Sequence, residues 1–106
     1  MASMNKWIGI GRLTRDVELR YTAEGKAVAS FTLAVDRGYG SDNTDFVNVS
    51  AWEKQAENCA EYIGKGRLVA VEGRLQIRSY EDKEGNKRIA PEIVASNVVF
   101  LDGKKE

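Results

Sequence analysis

Apolar residues recur at every second position through most of this chain, a spacing that gathers them on one face of an extended strand and would scatter them around a helix. In Ala27 to Asp36, the residues Ala29, Phe31, Leu33 and Val35 alternate with Ser30, Thr32 and Ala34. In Asp45 to Trp52, Val47, Val49 and Ala51 alternate with Phe46, Asn48, Ser50 and Trp52. From Arg67 to Tyr80, Val69, Val71, Gly73, Leu75 and Ile77 take one parity, and Glu72, Arg74, Gln76, Arg78 and Tyr80 take the other. Only Glu53 to Ile63 carries a helical pattern, with Gly64 as its expected stop and Cys59 in an apolar register with Ala56, Ala60 and Ile63. Such a chain folds as a β protein whose strands bury one face each.

The remaining segments complete the order. Asn5 to Leu13 is expected as the first strand, with Ile8 and Ile10 on one side and Trp7, Gly9 and Gly11 on the other. Val17, Leu19 and Tyr21 continue its alternation, and the two glycines imply strong curvature or a close backbone approach. Gly25 marks a hairpin turn, 37–44 a loop, and 81–86 a polar turn holding Gly85. Lys87 to Leu101 returns as the last strand, in which Pro91 requires an edge position or a bulge. Three strands, one short helix and two long strands are the element order of an OB-fold, a barrel that binds oligonucleotides on a sheet face and with its loops. The expected class is therefore all-β, a five-stranded OB-fold barrel with the helix between strands 3 and 4. At 106 residues and 11.8 kDa the chain suits one domain. That domain is placed at 5–102, after an appended or disordered start at 1–4 and before a short polar tail at 103–106.

The polar parities carry the functional signal. Phe46 and Trp52 sit opposite the valines of their strand, and Tyr80 closes a parity that contains Arg74 and Arg78. One reading is a second packed face against a helix or subunit. The other is a platform, because flat rings among small polar groups suit the stacking of unpaired bases. Arg74 and Arg78 can meet phosphates or stack on a ring, although alternating charge also describes a solvated strand face. Lys+Arg and Asp+Glu balance at 16 each, so the chain as a whole offers no polyanion-attracting field. A local stripe of Arg74, Arg78, Lys87 and Arg88 would have to supply it.

Several chemistries are excluded. There is no histidine, the commonest general base and metal ligand, and one cysteine cannot build a thiolate zinc site. Gly9 and Gly11 lack the spacing of a phosphate-cradling loop, and Glu81, Asp82 and Glu84 cluster on a solvated turn. No catalytic residue, metal site or cofactor is assigned, and no enzymatic activity is expected. No run approaches the ~18 apolar residues of a membrane span and the start lacks a signal-peptide core, so a cytoplasmic protein without membrane contact is expected.

The residues resemble the bacterial single-stranded DNA-binding protein family. The resemblance runs from Asn5 to about Leu101 through Asn5–Leu13, Asp16–Tyr21 with Gly25, Ala27–Val35, Asp45–Asn48, Trp52–Asn58, Tyr62–Gly66, Val71–Leu75 and Arg78–Tyr80. It implies sequence-nonspecific binding of single-stranded DNA in replication, recombination and repair, at a nucleoid-associated location. Its base-stacking positions fall on Phe46, Trp52 and Tyr80, and on Tyr39 in the loop. Its backbone-contacting cations resemble Arg20, Lys54, Lys65 and Arg78, to which the strand reading adds Arg74 and Lys6. The resemblance further implies a homotetramer. A primosome-type OB protein, bridging single-stranded DNA and replication proteins, is the alternative. Trp7 stands where the family has an aliphatic residue and is read as an interface or groove residue of this chain. After Leu101 no acidic, Phe-terminated tip follows, so recruitment of replication and repair enzymes through such a tip is not expected.

Overall fold

The computed structural model describes residues 3–38, 40 and 42–102. Its elements are β1 (Trp7–Leu13), β2 (Glu18–Tyr21), β3 (Ala27–Asp36), β4 (Thr44–Trp52), α1 (Glu53–Tyr62), β5 (Leu68–Glu81) and β6 (Lys87–Phe100). The sheet order is β1-β5-β6-β4-β3-β2, and a further β1–β3 pairing closes the strands into a ring. Every strand contact is antiparallel except β4 with β6, which is parallel and limited to Val49↔Ile93 and Ser50↔Val94. The all-β architecture agrees with the sequence. The strand count does not: six strands form among the described residues, and the helix lies between the fourth and fifth.

The extra strand arises from a break in the expected first one. β1 pairs with β5 from Trp7↔Gly73 to Arg12↔Leu68, then meets β3 at Arg12↔Ala34 and Leu13↔Leu33. After a last bond from the Thr14 N–H to the Thr32 carbonyl at 2.9 Å the chain leaves β3 over 15–17 and rejoins it as β2 at Glu18↔Ser30. Leaving the ladder frees Asp16 to accept the Lys65 N–H at 2.8 Å, which ties this bend to the segment after the helix. β1 thus runs along β5 and reaches β3 only at its end, whereas β2 lies wholly along β3.

Phe31, Leu33, Val49, Val69, Val71 and Ile93 fill the barrel, and α1 covers it with Ala56 and Cys59. Each large apolar side chain so buried contributes roughly 1.5–3 kcal/mol. Burial also pushes the Cys59 thiol up to about 12, so it stays protonated at neutral pH as a small core group. The helix ends differently from expectation. Ile63 caps it in an extended conformation, φ −121°, and drives its own side chain into the core, so Gly64 is not a left-handed stop.

The core parity of β5 also stops early. Val69, Val71 and Gly73 are buried, whereas Leu75 and Ile77 are 42% and 60% exposed because the β5–β6 hairpin runs on past the barrel. Pro91 lies in that outer part, opposite Ile77 and beyond the last pairing with β4, where a missing N–H costs no ladder bond to β4. A register shift at Glu72/Gly73 leaves Ser96 bulged, with its Oγ donating to the Glu72 carbonyl at 3.0 Å.

Two glycines permit the closure. A Cβ on Gly11 would collide with the Ala34 carbonyl across the β1–β3 seam, and one on Gly73 would collide with the Val94 carbonyl beside the bulge. Both obstacles are backbone. The nearest atoms to a Cβ on Gly9 belong to the Trp7 ring, which lies across it. Gly11→Ala and Gly73→Ala should each lower stability by ~1–3 kcal/mol, the range for overpacking a filled site. Gly9→Ala should cost less, by displacing the ring. Urea unfolding of the three variants checks this, and equal losses at all three would contradict it.

Candidate nucleic-acid interface

The alternation that sends Phe31, Leu33, Val49 and Ala51 inward sends the other parity of β3 and β4 outward. Across the ladder Val28 faces Trp52, Ser30 faces Ser50, Thr32 faces Asn48 and Ala34 faces Phe46. Phe46 is 69% exposed and Trp52 is half-buried. Their positions are separated by roughly 20 Å of strand, with small polar groups between. One of these contacts is fixed, Thr32 Oγ1 donating to Asn48 Oδ1 at 3.0 Å.

Trp52 is held by an abrupt change of direction. It ends β4 and precedes α1 with extended dihedrals, φ −128° and ψ 148°, and Glu53 follows in the left-handed region at φ 59°. A side chain there costs roughly 1–2 kcal/mol. That single residue turns strand into helix and leaves the indole on the outer face. β2 brings Arg20 beside it through the row Arg20, Val28, Trp52.

The hairpin brings Arg78 to the same place. Arg20, Ser30, Ser50, Trp52, Arg78 and Glu92 line a groove of about 130 Å³. Glu92 organises it, accepting from the buried Ser50 Oγ at 3.0 Å and lying 3.5 Å from Arg78 Nη2. The sequence reading missed Glu92. Its signal was the hairpin register, in which Gln76↔Glu92 and Arg78↔Ala90 put Arg78 and Glu92 diagonally on one face.

The other expected site residues are dispersed. Tyr80 is 53% exposed and pairs with Arg88 on the outer hairpin. Lys6 and Arg74 line a separate hollow with Asn5 and Ser96, where Lys6 Nζ is 2.6 Å from Glu72 and Arg74 donates to Gln76. Lys54 is exposed in the first turn of α1, and Lys65 is exposed beyond its end. Neither lines the Trp52 groove. Tyr39 lies outside the described residues. Among the described residues no group of His, Cys, Asp or Glu could hold a metal ion, and no helix is long and apolar enough to cross a membrane.

A small β-barrel closed by the β1–β3 pairing, with its helix between β4 and β5 in the chain and Trp52, Arg20 and Arg78 on one outer groove, defines an OB-fold module. The model of the Single-strand binding protein family matches residues 4–101, and the chain belongs to that family. It is 50% identical over 103 residues to the Single-stranded DNA-binding protein of Halalkalibacterium halodurans, covering 93% of this chain and 61% of that one. It is 52% identical over 103 residues to Single-stranded DNA-binding protein 3 of Clostridium acetobutylicum, covering 93% and 72%. Against Single-stranded DNA-binding protein 1 of a Staphylococcus aureus strain it is 50% identical over 105 residues, covering 95% and 67%. The chain therefore spans about six tenths to seven tenths of the length of these relatives.

The hairpin that carries Tyr80 is closed by Asp82. Its carboxylate accepts the N–H groups of Asn86 at 2.9 Å and Glu84 at 3.0 Å, and the Arg88 Nε–H at 2.9 Å. The Asn86 N–H and the Arg88 guanidinium favour the ionised form and hold the Asp82 carboxyl below its usual value. A folded value below the unfolded one, ~3.9, means that the contribution is complete above that pH and is lost as pH falls through the lower folded value. Amide exchange at Glu84 and Asn86, measured relative to the intrinsic rate at each pH, should stay slow at neutral pH and rise only in that acid range. In Asp82→Asn it should be fast at neutral pH. Unchanged exchange in the variant would contradict this.

Proposed function

We propose that this domain binds single-stranded DNA without sequence preference, as a non-catalytic coat in replication, recombination and repair. The convergence of Trp52, Arg20 and Arg78 on one groove among small polar groups carries the reading. A ring supplies a stacking surface that any base can use, and two guanidiniums beside it supply phosphate contacts. Phe46 and Tyr80 extend the stacking surface, and Tyr39 is assigned to it on the family resemblance. Lys54 and Lys65 extend the phosphate track outward, with Lys6 and Arg74 as further cations. Arg78 contributes less than a free cation because Glu92 pairs with it. A cytoplasmic, nucleoid-associated location follows from this role.

We further assign a homotetramer. Ile8, Ile10 and Val99 are 69%, 55% and 46% exposed on the outer face of β1, β5 and β6, an apolar surface of the kind that another subunit covers.

Trp52→Ala should weaken oligo(dT) binding by ~1–3 kcal/mol, the range for one stacked base, with little change in thermal stability. If Trp52 is a core residue, the outcome reverses, with ~3–5 kcal/mol lost from folding and normal binding by the folded fraction. Running the titrations beside light scattering reads chain number in the same samples, and about four chain masses are expected.

A further inference from the structure

We propose that the cleft between β4 and β6 is an additional base-binding site, in which one unpaired nucleobase of the bound strand lies against the Trp7 indole. The inference rests on the single-stranded DNA reading and adds a site to it.

The cleft follows from the topology. β4 and β6 are joined only at Val49↔Ile93 and Ser50↔Val94, and ahead of those pairs the strands part. The opening has a volume of about 310 Å³, at the low end of the ~300–1,000 Å³ of small-molecule pockets. β4 contributes Phe46 and Val47, β6 contributes Pro91 and Ile93, and Trp7 and Leu75 come from β1 and β5. Trp7 does not simply fill the core. Its ring is half-buried, lies across Gly9 in the space a side chain there would occupy, and borders the cleft.

Phe46 belongs both to the outer face of β4 and to this cleft, and Glu92 borders both the cleft and the Trp52 groove. A strand lying along β4 from Trp52 therefore arrives at the opening. The apolar lining and the Glu92 carboxylate disfavour a phosphate, whereas a flat heteroaromatic ring suits both the slot and the indole. Asn48 borders the cleft and accepts from Thr32 through Oδ1, which leaves its NH₂ to donate to a base carbonyl.

The chain contains two tryptophans, so each can be read alone. Trp52→Phe leaves Trp7 as the sole indole, and Trp7→Leu leaves Trp52. Titrated with oligo(dT), the Trp52→Phe chain should show saturable quenching of Trp7 emission and reduced access of iodide to it. Trp7→Leu, which keeps an apolar side chain on the barrel, should weaken oligo(dT) binding by ~5-fold or more. If Trp7 emission and iodide access stay constant while Trp52 in the Trp7→Leu chain is quenched, the cleft proposal is overturned and the single-stranded DNA reading stands. If neither indole responds, the reading itself fails and the cleft goes with it. If Trp7 becomes shielded as protein concentration rises without DNA, a second copy fills the cleft and the proposal is overturned.

Discussion

The antiparallel ladder between β3 and β4 sets what every other part of this molecule can do. Its nine pairs run from Val28↔Trp52 to Asp36↔Thr44 and hold Phe31 against Val49 and Ala29 against Ala51 inside the barrel. Because side chains alternate with period two, a slip of one residue would bury Trp52 and Phe46 and expose the valines. The core thus fixes the outer face. Rings at both ends of β4, with Ser50 and Asn48 between, are a consequence of the register that buries Val49 and Ala51.

Charge plays a small part, in keeping with the balanced composition. Lys6, Arg12, Arg15, Arg37, Arg78 and Arg88 each have a carboxylate within ion-pair distance. Exposed pairs of this kind add little to stability, with a median of ~0–1 kcal/mol. They do lower the positive potential that a polyanion meets. Arg20, Lys54, Lys65 and Arg74 have no such partner among the described residues; Arg20 lines the Trp52 groove, and the other three lie outside it. On the proposed function, stacking carries the larger share of the affinity and phosphate contacts orient the strand.

Strand parity was legible in the sequence wherever one face is buried. It placed Trp52 and Phe46 outside, and it placed Phe31, Leu33, Val49 and Val71 inside. The glycines of β1 announced a close approach, which Gly11 makes at Ala34. Reading failed where alternation outlasts its cause. Leu75 and Ile77 keep the core parity of β5 after the barrel has ended, and Leu19 and Tyr21 keep that of β1 across the break, on a strand whose side chains are exposed. Contacts between segments distant in sequence were hidden for a different reason. Glu92 against Ser50 and Arg78, and Asp16 against the Lys65 N–H, depend on register and closure, which local pattern does not encode.

Whether single-stranded DNA lies on the outer face of β3 and β4 can be read from amide NMR spectra recorded during an oligo(dT) titration. The resonances of Ser30, Thr32, Asn48 and Ser50 and the Trp52 indole N–H should move together and saturate. Those of Ile8, Ile10, Ala70 and Val99, on the outer face of β1, β5 and β6, should stay in place. Saturating shifts on that second face, with β3 and β4 unmoved, would contradict the account.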